Sequence, residues 1–232
     1  MPVLPSGFSL KDVLVRLFGE SGLAITDRAV DDLCIYLCEL DNWNKRMNLT
    51  GIAGLEEMAV KHVGDTILLA LHAPDRIGYM LDIGTGAGVP GLIFKIIRRD
   101  LNVVLVDSVR KKVSFLRYLI ARLGLCGVWV EQGRAGLDDV PACRPEAGFD
   151  LIVSQAVGPI DELAGMAGGL LSKDGVIISL KGVRGVEEAA DFKERLLEMG
   201  WEARPVKAYT PVGRQMRYLI FMKRVISCKN DP

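Results

Sequence analysis

A chain of 232 residues exceeds the roughly 150 of an ordinary domain, so one sizeable domain with an appendage is expected. Half of the residues are apolar and a quarter are charged, which excludes a disordered chain. Twenty-nine basic residues balance twenty-nine acidic ones, which excludes a nucleic-acid binder held by bulk positive charge alone.

The first ten residues carry no Lys or Arg and no continuous apolar stretch, so no targeting segment is expected and the protein is placed in the cytoplasm. Ser9 with Asp12 three residues on signals a helix running to about residue 20. Thr26 is placed to cap a second, whose stripe is Val30, Leu33, Cys34, Leu37 and Cys38. The run 33–38 is the longest uninterrupted apolar stretch, against the roughly 18 residues that span a bilayer, so no membrane helix is expected. A third helix is predicted over 55–71, stopped by Pro74, with no strand before Tyr79. Residues 1–75 thus read as a helical subdomain and 76–232 as the main domain.

Beyond that point short apolar runs alternate with segments of helical length. YMLDI (79–83), NVVLVD (102–107), VWVEQ (128–132), FDLIVS (149–154) and GVIISLK (175–181) are apolar on both alternating faces, as strands covered by helices on two sides are. Helices are predicted over 89–99, 108–123, 160–171 and 186–199; in the second, Val109, Val113, Leu116, Ile120 and Leu123 recur every three or four residues. The alternation predicts a doubly wound α/β fold around a parallel sheet. After Gly200, WEARPVKAY and MRYLIFMKR follow with no helix between them, which predicts an antiparallel pair at the end of the sheet. Five cysteines (Cys34, Cys38, Cys126, Cys143, Cys228), odd in number and with no Cys-x-x-Cys pair, read as small apolar residues rather than a disulfide framework. His62 and His72 stand apart from any ligand set, so no metal is expected.

LDIGTGAGVPG (81–91) sets Gly84, Gly86 and Gly88 between the first core strand and the first core helix, where glycine lets backbone approach a nucleotide-like ligand. Asp107, at the end of the next strand and 23 residues after Gly84, is placed to accept from both hydroxyls of an adenosine ribose. A dinucleotide would set a pyrophosphate beside the Asp82 carboxylate, an unfavourable pairing, whereas S-adenosylmethionine (AdoMet) brings an ammonium and a sulfonium. AdoMet is therefore the favoured ligand, with a dinucleotide or a purely structural turn as the alternatives. Thr85 and Ser108 are expected to flank the same pocket.

The chain resembles the RsmG (GidB) family, ribosomal small subunit methyltransferase G, through DNWNKRMNLTGI (41–52), KHVGDT (61–66), LDIGTGAGVPG, LVDSVRKKVSFLR (105–117), QGRAG (132–136), FDLIVSQAV (149–157) and SLKG (179–182). The resemblance implies a class I AdoMet-dependent methyltransferase fold and methylation of 16S ribosomal RNA at N7 of one guanine in the decoding region. It also implies that Gly84, Val89, Ala135, Gly136 and Gln155 line the cofactor pocket, with Ala135 and Gly136 near the adenine. Three positions depart from the family pattern: Gln155 stands where Arg is usual, Gly136 where Glu is, and Thr66 where Ser is.

Guanine N7 carries an in-plane lone pair and no proton, so methyl transfer to it requires alignment and no general base. The end of the fourth strand, SQAVGP (154–159), lacks the Asn/Asp-Pro-Pro-Tyr pattern of amino-group enzymes and the cysteine of cytosine C5 enzymes. Gln155 and Lys181 are the positioning candidates. Two acid-free stretches, 108–130 and 203–227, nominate RNA contacts: Arg110 and Lys111 after the second strand, Lys181 after the fifth, and Arg214 and Arg217 in the tail, with a sheet-edge role as the alternative for the last two. Asn44, Lys45, Arg46 and Asn48 are further candidates in the helical segment, although Asn48 equally suits a turn. His62 and Asp65 read as an i, i+3 polar pair joining that segment to the core. A monomer is expected, and a non-catalytic RNA-binding protein or a methyltransferase for another substrate are the rival readings.

Overall fold

The computed structural model describes residues 9–136, 138, 143–155 and 157–225. Helix α1 (Leu10–Ser21) opens on a complete capping box: the Ser9 hydroxyl accepts from the Asp12 amide, and the Asp12 carboxylate accepts from the Ser9 amide at 2.9 Å. Helix α2 (Asp27–Met47) is capped by Thr26 and ends at Asn48, which takes the left-handed conformation at φ 48°. The predicted third helix is interrupted. A short α3 (Leu55–Met58) passes through one π-helical turn (Ala59–Val63) into α4 (Gly64–His72), so the turn that swells is the one carrying Lys61 and His62.

Strands β1 (Tyr79–Ile83), β2 (Asn102–Asp107) and β3 (Val128–Gln132) fall on the predicted residues, β4 (Phe149–Gln155) runs one further, and β5 (Leu171–Lys181) begins four earlier. The helices between them are α5 (Gly91–Ile97), α6 (Arg110–Leu123) and α7 (Ile160–Gly168). The segment 186–199 is two helices, α8 (Gly185–Asp191) and α9 (Lys193–Glu198), parted at Phe192. Strands β6 (Trp201–Tyr209) and β7 (Met216–Arg224) close the sheet. Its order is β3-β2-β1-β4-β5-β7-β6, parallel from β3 to β5 and antiparallel at β7 and β6. This is the doubly wound α/β arrangement with its antiparallel end, and the chain reverses direction on the sheet between β1 and β4, where such folds bind ligands.

Three expectations are corrected. β3 is an edge strand and is not covered on both faces: Trp129 is 38% exposed. In α2 the buried stripe runs through Val30, Leu33, Tyr36, Leu37 and Leu40 rather than to Cys38, which is exposed. Cys126 and Cys143 are exposed as well, so of the described cysteines only Cys34 behaves as a partly buried apolar residue; Cys228 lies outside the described residues.

Helices α1, α2 and α4 share one apolar core with α5, α6 and one face of the sheet, while α7, α8 and α9 pack over the other. Polar struts cross the first of these layers. The Tyr36 hydroxyl, fully buried on α2, donates to the Ala87 carbonyl at 3.1 Å and so supports the glycine-rich loop from beneath. Arg99 reaches Asp32 on α2 at 2.5 Å.

Candidate active site

At the carboxyl ends of β1, β2 and β4 lies a cavity of about 660 Å³. The glycine-rich loop forms its floor, fastened to β2 by the Gly84 and Thr85 amides, which both donate to the Val106 carbonyl at 2.8 and 3.0 Å. Gly84, at φ +71°, faces the cavity, and a Cβ there would sit 2.2 Å from Val157 Cγ2. Gly88 does not line the cavity. It is buried against Leu92 and Leu116, each within 3 Å of a hypothetical Cβ, so its glycine serves packing.

The two predicted carboxylates do different work. Asp107 borders the cavity and ties the loop: Oδ2 accepts from the Gly86 amide and Oδ1 from the Val109 amide, both at 2.8 Å, with Lys112 Nζ 3.7 Å away. Each oxygen keeps a lone pair for a ligand hydroxyl. Asp82 is instead fully buried under the loop and does not line the cavity; its Oδ2 accepts from the Thr85 hydroxyl at 2.6 Å and the Gly91 amide at 2.8 Å, while Oδ1 has no partner.

Burial pushes the Asp82 carboxyl up to about 7; the bonds from Thr85 and Gly91 oppose that and nearby Asp107 adds to it. Between its ordinary value of 3.8 and about 7 the folded chain therefore holds a proton that the unfolded chain has lost. This carboxyl's contribution to stability falls as pH rises through that window. Comparing thermal unfolding of the unaltered protein and Asp82→Asn at about pH 5 and about pH 8 is expected to give a smaller loss for the variant. An equal loss in both would show that Asp82 titrates normally.

The cavity has two ends. At one, Val106, Asp107, Ala135 and Met166 offer an apolar slot bordered by a carboxylate. Gly136 lies beside it at φ +74°, where a Cβ would meet the Met166 carbonyl at 2.7 Å, so this backbone path excludes the Glu usual in the family. The other end is built by the helical segment and β7; the sequence reading nominated Arg217 on that strand and Asn44, Lys45, Arg46 and Asn48 in the helical segment, but neither Thr50 nor His62. Thr50 and His62 enter it, with Thr50 Oγ1 3.2 Å from His62 Nε2. Burial, and then the Lys61 charge, lower the His62 pKa to about 4, so its imidazole is neutral. Asn44 holds the Thr50 loop in place: its Oδ1 accepts from the Thr50 amide at 2.9 Å and its Nδ2 donates to the Ile52 carbonyl at 3.3 Å. Asn44 is thus structural.

Asp65 does not pair with His62. Its carboxylate takes Arg217 Nε at 2.9 Å and Gln155 Nε2 at 3.0 Å, joining α4, β7 and β4 at the cavity wall. Burial raises the Asp65 pKa, and Arg217 followed by Gln155 oppose only part of that rise. Arg217 is therefore a cavity residue on a strand flanked by β5 and β6, not an edge residue.

The other basic candidates divide. Arg110 and Arg214 are exposed and lie outside the cavity lining, whereas Lys111 donates to the Met47 carbonyl at 2.5 Å. Lys181 is turned inward, donating to the Gly158 carbonyl at 2.7 Å and to Glu188 Oε1 at 3.0 Å; that same oxygen accepts from the Ile160 amide at 2.9 Å. It secures the loop bearing Val157 and is not placed for phosphate. Lys112 and Arg134, unassigned from sequence, line the cavity together with Ser108. Among the described residues no group of His, Cys, Asp and Glu is arranged to hold a metal ion, and no helix is long and apolar enough to cross a membrane.

The residues present fit AdoMet: a floor that tolerates no Cβ at Gly84, an acceptor carboxylate at Asp107 and an apolar slot beside it. Two solved structures share the fold. An O-methyltransferase from Streptomyces achromogenes in complex with SAM superposes with TM-score 0.61 at 22% identity, covering 90% of this chain and 96% of that one. One from Bacillus cereus in complex with SAH gives 0.60 at 21%, covering 82% and 91%. Fold and site together define a class I AdoMet-dependent methyltransferase.

Sequence comparison narrows the class. The family model GidB, rRNA small subunit methyltransferase G, matches residues 29–216. Proteins named ribosomal RNA small subunit methyltransferase G are similar over nearly the whole length: 37% identity with that of Geotalea uraniireducens, covering 93% of this chain and 97% of the relative, and 36% with that of Geobacter metallireducens, covering 92% and 96%. The chain belongs to the rRNA small subunit methyltransferase G family.

Proposed function

We propose that this protein methylates 16S ribosomal RNA at N7 of a single guanine in the decoding region, acting as a monomer in the cytoplasm. In this reading residues 1–75 form a helical subdomain that shapes the RNA end of the cavity, and 76–232 the domain that holds AdoMet. Gly84, Thr85, Gly86, Val89, Asp107, Ser108 and Ala135 hold the cofactor. Asp82 fixes the glycine-rich loop, Gly88 lets it pack, and Gly136 lets the chain pass close to the Met166 backbone. When bound, AdoMet supplies an electrophilic methyl whose carbon–sulfur bond breaks as the new nitrogen–carbon bond forms, the electron pair returning to sulfur.

One observation supports the choice of nucleophile. The titratable groups at the RNA end are poorly placed to take a proton: both oxygens of Asp65, whose pKa burial raises, are already engaged by Arg217 or Gln155, and His62 has its pKa lowered to about 4. A hydroxyl or amino nucleophile would need its proton removed there, whereas guanine N7 has none to lose. The chain's task is then to align base and methyl and keep water out. Incubation with labelled AdoMet and either naked 16S RNA or small subunits, followed by nucleoside analysis, is expected to place the label in 7-methylguanosine. Label in another nucleoside, or in none, would overturn the assignment.

A further inference from the structure

We propose that Gln155 is the residue that reads the target base, its side-chain oxygen accepting from N1–H and the 2-amino group of guanine; this deepens the N7 reading and rests on it. Asp65 decides how the amide lies. Gln155 Nε2 donates to Asp65 Oδ2 at 3.0 Å, while Arg217 Nε holds Oδ1 of the same carboxylate at 2.9 Å. A carboxylate held by a guanidinium only accepts, so the amide nitrogen faces it and the amide oxygen turns away. Gln155 ends β4, is half-buried and lines the cavity, and among the described residues no protein donor reaches its oxygen.

The neighbouring side chains offer it little competition: the other acceptor, Asp65, has both oxygens taken up by Arg217 and Gln155. Arg217 is a donor only, and Lys61 is a donor already engaged by Glu57 at 2.5 Å. Thr50 Oγ1 accepts from the Ile52 amide and meets His62. A purine turned with N7 toward the methyl donor carries its six-membered ring, with N1 and C2, on the far side. Guanine has two donors there, and adenine has an acceptor at N1, which an acceptor oxygen repels. Methylation at N7 makes the base cationic and its N1–H and amino hydrogens more acidic. A fixed acceptor therefore binds the transition state more strongly than the ground state.

The test compares RNA carrying guanosine at the target with RNA carrying inosine, which lacks the 2-amino group. The unaltered protein is expected to favour guanosine by about tenfold or more in kcat/KM. Gln155→Leu is expected to lower turnover of guanosine and bring the guanosine-to-inosine ratio to about one. AdoMet affinity and unfolding temperature, measured on the same sample, separate lost recognition from a damaged fold. Equal use of both RNAs by the unaltered protein overturns the proposal whatever the variant does, and so does a folded Gln155→Leu that keeps the original ratio. Failure to label guanosine RNA at N7 would remove the parent reading, a different result from loss of discrimination.

Discussion

Asp65→Ala is expected to destabilise the protein by roughly 3 kcal/mol and to abolish methyl transfer, because it leaves the Arg217 guanidinium in the cavity wall without its carboxylate. Removing one partner of a buried pair exposes the full desolvation cost of the other. The figure sits at the low end of that range because the Arg217 side chain is 22% exposed and recovers some hydration. Three elements meet at this carboxylate, α4 through Asp65, β4 through Gln155 and β7 through Arg217, so the wall opens when it is removed. Urea denaturation beside the methylation assay checks both parts. A loss below about 0.5 kcal/mol would show that the pair behaves as an exposed ion pair.

Asp107→Ala is expected to weaken AdoMet binding by about 2 kcal/mol, roughly thirtyfold, measured by calorimetry. Two effects add. The ligand loses an ionised acceptor, and the Gly86 and Val109 amides lose the oxygens that hold them at 2.8 Å, so the floor loosens as well. Asp107→Asn keeps one acceptor oxygen and is expected to fall between. Unchanged affinity in Asp107→Ala would place the ribose elsewhere.

The strands were legible in the sequence because a run such as NVVLVD, apolar on both faces and bounded by turns, has few alternatives to a covered strand. The helixless tail gave the antiparallel end for the same reason. VWVEQ looks alike in composition yet forms the sheet edge, since coverage depends on which strands lie beside it. The glycine-rich loop and Asp107 were legible as a site because their chemistry is local. Asp65 with Arg217, 152 residues apart, and with Gln155, 90 apart, was not: such contacts exist only once the topology is known. Lys181 misled for a related reason. Its place at the end of a parallel strand points to the ligand cleft, but a loop carbonyl and Glu188 take up its donors. Thr50 and His62 lay within two of the quoted family motifs, which was the available signal that the helical segment reaches the cavity.

The strut from Tyr36 to the Ala87 carbonyl bears on how the protein matures. It joins residues 51 apart, one on a helix and the other in the glycine-rich loop. The ribosome releases the residues of that helix before the glycines, but the strut itself forms only when the two dock. This support of the glycine-rich loop thus arrives with tertiary closure, not with completion of the strand-loop-helix unit that carries the fingerprint. The part of the chain richest in recognisable sequence depends for its shape on a tyrosine outside it.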